Sequence, residues 1–412
     1  MADAGDPLRD ALAMVAPGTP LREGLDRILQ GNRGALIVVS DDPAVLSICT
    51  GGFLMDAEFT PQRLSELAKM DGAIILTADA SRIARTNVHL MPRASIPTTE
   101  TGTRHRTAER VARCIDAPVV SVSEAMATIT VYRGAERHAL RHTGRLIARA
   151  TQAIAAVERF KSRYDLALAL LSTLEVEDSV SVGDVVSVLQ PGEMVVRFTE
   201  EVQDYLVELG EDGRLIRLQI DELGAGVEEA LRLVALDYVV LSKEAPVGDG
   251  AVGDGASTDG AFGGGAAREG ALGDSAASDG AFDDRPRRAA STTGPDARRE
   301  RRADEAVAAL HALSHDELTG RLAVAAALGF EPTPAGLDEA AEARGFRLLH
   351  RLPRLSDAII DRIVQRFGTL PRLMQASPAD LEQVGGVGEA KARSVKDGLA
   401  RMVEASILER YE

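Results

Sequence analysis

The chain has 412 residues, 45% of them hydrophobic, which is enough for two or three domains with cores of their own. A formal net charge of −16 argues against general coating of nucleic acid and against an anionic membrane surface. With 3% aromatics and no Trp, the chain lacks the stacking platforms of single-strand binders. Charge is uneven, since residues 344 to 412 carry 12 Lys/Arg against 9 Asp/Glu, a net +3 in an acidic chain. Cys49 and Cys114 have neither a metal nor a redox spacing and read as buried small apolar residues in a reducing cytosol. The first six residues are acidic, without an apolar signal region, and no apolar run is long enough to span a bilayer. The expectation is a soluble cytoplasmic protein with no membrane partner.

In chain order, residues 7 to 30 read as helix, a Pro-Gly-Thr-Pro break and a second helix with Leu21, Leu25, Ile28 and Leu29 at helical spacing. Residues 34 to 40 are an apolar strand. Residues 45 to 50 are another short apolar run, ended by Gly51-Gly52. Residues 61 to 70 form a helix. Residues 73 to 77 then have the length of a buried strand. Residues 80 to 85 are short and polar, and residues 87 to 92 make a strand-like step. After a polar loop at 97 to 101, Val111, Ala112 and Ile115 mark a helix that Thr107 or a neighbour can cap. Residues 118 to 123 are a strand and 127 to 132 are rich in β-formers. Strands alternating with helices predict an α/β domain over 1–145 with a central mixed sheet.

From about residue 145 the pattern is helical, with segments at 145–157, 164–174, 181–190 before Pro191, 193–209 and 226–241. This predicts an all-α middle domain over 146–350. Within it, residues 245–302 are low-complexity Gly/Ala/Asp ending in Arg-rich sequence, a composition that buries too little apolar surface to stay ordered. Helices resume at 303–313 and 316–328. The final segment, 351–412, contains the run Val384-Gly385-Gly386-Val387-Gly388-Glu389-Ala390-Lys391-Ala392-Arg393, which reads as a helix-hairpin-helix. Gly386 and Gly388 let a hairpin backbone approach DNA phosphate, and Lys391 and Arg393 add charge. An ordinary αα-hairpin with a glycine turn is the plainer alternative.

Two stretches carry candidate chemistry. In Gly102-Thr103-Arg104-His105-Arg106-Thr107, arginines and hydroxyls sit where a helix begins. Unpaired N–H groups and the helix dipole favour phosphate there, and guanidinium adds bidentate donors. The stretch is either a polyphosphate cradle or a basic loop capping a helix. Asp71-Gly72-Ala73 stands at the mouth of the strand at 73–77. Its carboxylate suits Mg²⁺ or Mn²⁺, and Gly72 permits close approach of a ligand; a turn before a core strand is the alternative.

Together, Lys69-Met70-Asp71-Gly72-Ala73 and Gly102-Thr103-Arg104-His105-Arg106-Thr107 resemble the Asp-Gly-Ala and Arg-His-Arg motifs of diadenylate cyclases, with supporting flanks at residues 17–22 and 34–39. The C-terminal hairpin narrows the resemblance to the branch that scans DNA integrity, and the stretch after residue 244 departs from that pattern. The resemblance implies condensation of two ATP into cyclic di-AMP and two pyrophosphates with Mg²⁺ or Mn²⁺ as cofactor. It implies Asp71 as metal ligand and helper of 3′-hydroxyl deprotonation, with Arg104, His105 and Arg106 gripping phosphates. Gly72, Ala73, Leu90, Thr103, Thr107 and Ser123 would complete the ATP site. It also implies an octamer and inhibition by branched DNA such as recombination junctions. One inference needs only the residues. A single copy of each motif must make a product with two equivalent linkages, so at least two chains bring their sites face to face.

Overall fold

The computed structural model describes residues 6–240 and 295–409. The run Ala35–Val39, strand β1, is buried at every position. A strand achieves this only with cover on both faces. Ile37 and Val39 meet Leu21, Leu25, Ile28 and Leu64, from helices Pro20–Gln30 and Pro61–Leu67. Leu36 and Val38 meet Val45, Ala108 and Val111, from helices Pro43–Ser47 and Thr103–Cys114 on the opposite face. The further strands are β2 (Cys49–Thr50), β3 (Phe53–Glu58), β4 (Ala73–Leu76), β5 (Arg82–Leu90), β6 (Val119–Ser123), β7 (Thr128–Arg133) and β8 (Glu136–Ala139). They form one sheet in the order β2-β5-β4-β1-β6-β7-β8, with β3 also on β5. Only β1 and β4 run parallel, so the sheet is mixed, as expected from sequence.

Several local readings are corrected. The first part of the apolar run at 45–50 lies in the helix Pro43–Ser47, because Pro43 supplies a preset first helical position, and only Cys49–Thr50 is strand. β5 covers nine residues where a shorter step at 87–92 was expected; Asn87 sits inside it at φ 53°, where the pairing with β4 shifts register. β3 and β8 escaped sequence reading because both lie at the sheet margin and are almost wholly exposed, so no period-2 signal exists.

The helical region is dominated by two long helices, Thr143–Val176 and Val182–Leu209, rather than four shorter ones. Pro191 was expected to end a helix but lies buried inside the second. An interior proline costs about 3 kcal/mol. The surrounding stretch from Val185 to Val196 buries seven apolar side chains, which outweighs that loss. Next to it, a Cβ on Gly192 would stand 2.6 Å from Leu231 Cδ2, a measure of how closely the neighbouring helix Val227–Tyr238 packs.

Helix Pro295–Ala312 begins inside the stretch expected to lack order, so residues 295–302 are helical; the rest of that stretch lies outside the described residues. Ala303, Ala306 and Leu310 are buried, and Arg232 bonds Asp304 at 2.9 Å, which ties this helix to the bundle. Gly320 divides the expected helix at 316–328 into His315–Thr319 and Arg321–Ala327. The C-terminal part is helical: Asp357–Phe367, Leu370–Gln375, Pro378–Glu382 and Glu389–Glu409. Its Ile359, Leu381 and Leu399 belong to the same apolar cluster as Leu146 and Val195 of the long helices. A buried polar network crosses the same region. Asp237 accepts the backbone N–H groups of Gly345, Phe346 and Arg347 at 2.7, 2.7 and 2.9 Å, and Glu175 holds Arg347 and the Tyr238 hydroxyl. Among the described residues, no helix is long and apolar enough to cross a membrane.

Candidate active site

Strand ends and one helix start converge on a cleft of about 590 Å³, lined by Asp71, Gly102, Thr103, Arg104, His105, Val122, Ser123, Glu124 and Ala125. The convergence follows from topology. Asp71 precedes β4, Ser123 ends β6, and β1 lies between these strands. Helix Thr103–Cys114 packs over β6, which places its first turn beside the same sheet edge.

That helix starts one turn earlier than the sequence suggested. Gly102 is the capping position, and it has no side chain to occupy the first N–H groups. Thr107 is not the cap; its hydroxyl donates to the Thr103 carbonyl at 3.0 Å in the second turn. Arg104, His105 and Arg106 are therefore helical rather than loop residues. An uncapped N-terminus with N–H groups directed at a polar cleft suits an anion. The loop before it is anchored from below. Glu109 is buried and accepts from the Thr98 hydroxyl and, at 3.1 Å, the Thr99 amide, while pairing with Arg113 at 2.7 Å. Burial alone would push the Glu109 carboxyl up, but these hydrogen bonds and the Arg113 charge leave it below the ordinary carboxylate value.

Arg104 Nη2 stands 3.6 Å from Asp71, whose side chain is fully exposed. The guanidinium lies against Gly34, where any Cβ would collide with it. Gly72 serves a similar purpose for the backbone: a Cβ there would come 2.6 Å from Asn87 Cα. Gly72 thus admits the β5 chain at this turn. His105 Nδ1 is 2.8 Å from the Tyr132 hydroxyl, which donates to Glu100 at 3.0 Å; Arg137 pairs with the same carboxylate. Ser123 Oγ accepts from the Met126 amide at 3.3 Å.

Of the residues singled out from sequence, Asp71, Thr103, Arg104, His105 and Ser123 line the cleft. Gly72 adjoins it through Asp71. Ala73 and Leu90 are buried in the sheet core, Leu90 packing with Val45 and Val88, and neither lines the cleft. Arg106 is exposed on the same helix turn but outside the lining. Sequence reading missed Glu124, a second carboxylate in the cleft, and the Gly34, Glu100 and Tyr132 supports. Glu124 follows a predicted strand end, which was its available signal; the supports depend on contacts across strands and had none.

Among the described residues there is no cluster of three or more His, Cys, Asp or Glu arranged for a metal. The cleft offers two carboxylates, Asp71 and Glu124, a donor set that suits a hard divalent cation completing its shell with substrate phosphate and water. Both cysteines are unpaired, and neither is buried as expected: Cys49 is half-buried, and Cys114 is exposed because it falls on the outer face of its helix end.

In the C-terminal part, Gly386 adopts φ 87° in the turn between Pro378–Glu382 and Glu389–Glu409. Lys391 Nζ donates to the Gly386 carbonyl at 3.2 Å, Arg393 pairs with Glu389, and Gly388 faces open space.

Residues 22–137 match the family model described as DisA bacterial checkpoint controller nucleotide-binding, and residues 140–249 match DisA bacterial checkpoint controller linker region. The DNA integrity scanning protein DisA of Streptomyces coelicolor is 46% identical over 404 residues, covering 98% of this chain and 94% of that protein. The chain belongs to the DNA integrity scanning protein DisA family. The proteins of that name from Frankia casuarinae and Kineococcus radiotolerans are 43% and 44% identical, each covering 98% of this chain, and 98% and 97% of their own lengths. As a family member the chain is a diadenylate cyclase, a nucleotidyltransferase, and the cleft lies within the matched nucleotide-binding region.

Proposed function

We propose that the chain condenses two ATP into cyclic di-AMP and two pyrophosphates, using the cleft between Asp71 and the first turn of helix Thr103–Cys114. The observation that carries this reading is the Asp71–Arg104 pair at the mouth of an uncapped helix N-terminus. Each 3′-hydroxyl attacks the α-phosphate of the opposing ATP, its proton leaves toward Asp71, and pyrophosphate departs. Arg104 and the N–H groups of Thr103 and Arg104 hold phosphate oxygens, and the Arg106 side chain, exposed on the same turn, reaches the outer phosphates. Ser123 and Val122 border the nucleoside end. When bound, Mg²⁺ or Mn²⁺ held by Asp71, with Glu124 on the same cleft, would neutralise phosphate charge. No covalent nucleophile is needed, since positioning and charge stabilisation suffice for this displacement. Two chains face each other at these clefts, and the assembly is an octamer.

The relatives are named for DNA integrity scanning. In keeping with that, the turn at Gly385–Gly388 with Lys391 and Arg393 is assigned to branched DNA, whose binding lowers cyclase activity. The charge of the C-terminal segment, net +3 in a chain of net −16, favours this use. The protein acts in the cytoplasm.

Asp71→Asn tests the central assignment. It should bind ATP and release no cyclic di-AMP; turnover at the parent rate would remove Asp71 from the mechanism.

A further inference from the structure

Tyr132 is 1% exposed, its ring sealed in the core beneath the helix that carries Arg104 and His105. It does not line the cleft, so nothing reacts at it. Yet its hydroxyl is held between two polar groups, His105 Nδ1 at 2.8 Å and Glu100 Oε1 at 3.0 Å. A hydroxyl has one proton to give. A carboxylate paired with a guanidinium, as Glu100 is with Arg137, only accepts. The Tyr132 proton therefore goes to Glu100, and the phenol oxygen must receive an N–H from His105. The ring planes are tilted at 58° with centroids 6.3 Å apart, which fits an edge-on hydrogen bond and not a stack.

We propose that Tyr132 is a positioning residue of the cyclase cleft: oriented by Glu100, it takes the Nδ1–H of His105 and fixes the imidazole with Nε2 as its other, accepting nitrogen. Nε2 is buried and has no hydrogen-bond partner among the described residues. A buried nitrogen left without a partner carries a desolvation cost, which a bound group can relieve. Burial and the Glu100 hydrogen bond both push the Tyr132 phenol upward, so it stays protonated and the chain of hydrogen bonds keeps one direction. The loop that carries Glu100 is the one pinned by Glu109 to helix Thr103–Cys114. The orientation of His105 is thus set by the same loop that precedes the phosphate-binding turn. The consequence for turnover rests on the cyclase reading; the tautomer does not.

The test uses full-length protein labelled with ¹⁵N-histidine. The His105 signal is assigned by its loss in His105→Asn, and its nitrogen shifts report which nitrogen carries the proton. The expected result is protonation at Nδ1 in the parent protein. Tyr132→Phe keeps the ring in the core and deletes only the hydroxyl, so the proton should move to Nε2. With it kcat should fall about three- to tenfold, the worth of one neutral hydrogen bond, while KM for ATP stays within about twofold. Glu100→Ala is the second variant. It frees the Tyr132 proton for His105, so Nδ1 should lose its proton without any change in the core. A parent protein protonated at Nε2, or Tyr132→Phe with unchanged kcat and tautomer, overturns the proposal. If the parent protein makes no cyclic di-AMP, the cyclase reading fails instead, and the tautomer measurement alone decides this one.

Discussion

Gly34→Ala isolates the position of Arg104 from the stability of the fold. Gly34 is buried just ahead of β1, and a Cβ there would overlap the Arg104 guanidinium and lie 3.2 Å from the Val122 carbonyl. The carbonyl contact is tight but tolerable, and Gly34 has no left-handed backbone that alanine would strain. The guanidinium is the far end of a flexible side chain, so it moves aside cheaply. Stability should change by less than about 1 kcal/mol, partly offset by the lower chain entropy of alanine in the unfolded state. Catalysis should not be spared. A hydrogen bond from a charged group contributes about 1.5–3 kcal/mol, so displacing Arg104 should lower kcat/KM for ATP by about ten- to 150-fold. The assay is cyclic di-AMP formation resolved by mass, beside thermal unfolding of the same samples. Arg104→Ala and the double variant complete a cycle. If Gly34 acts through Arg104, the double variant is no worse than Arg104→Ala alone. Full activity in Gly34→Ala, or additive losses in the cycle, would refute the reasoning.

Two further outcomes are expected. Burial pushes the Glu175 carboxyl up to about 7, against the pull of Arg347. A raised carboxyl contributes stability that is fully present below its ordinary value near 4.5 and is lost as pH rises through about 7. Glu175→Gln cannot titrate, so its melting temperature should differ less between about pH 5 and about pH 8 than that of the parent, leaving the share that belongs to Asp237; an unchanged pH slope would show that Glu175 does not titrate in this range. Lys391→Ala should weaken binding to a four-way DNA junction across sequences and lower the salt slope by about one, the signature of one lost phosphate contact. An unchanged slope would mean that Lys391 only braces the Gly386 carbonyl, 3.2 Å away.

Much of the cleft was legible because its chemistry is local. Asp71 and Arg104–His105 stand in short runs whose residue types announce a carboxylate at a strand mouth and cations at a helix start. What could not be read depends on contacts distant in sequence. Tyr132 looked like one more β-former, and only the approach of β7 to helix Thr103–Cys114 brings its hydroxyl to His105. Leu90 sat beside the motifs in sequence, yet pairing with Cys49 turns it into the core. In the helical region, Pro191 has a strong local meaning that the packing of Val185 through Val196 overrides. The strands β3 and β8 left no pattern because the sheet margin does not bury one face of them. The C-terminal helices were visible as a separate compact run, whereas their shared cluster with Leu146 and Val195 was not, since such contacts join residues some two hundred positions apart.

The most direct measurement is incubation of the purified full-length protein with ATP and either Mg²⁺ or Mn²⁺, with products resolved by mass. Cyclic di-AMP and pyrophosphate in a 1:2 ratio is the predicted result, since two ATP yield one cyclic product and two pyrophosphates. ATP bound without turnover under either metal would contradict it, and would make the cleft a nucleotide sensor.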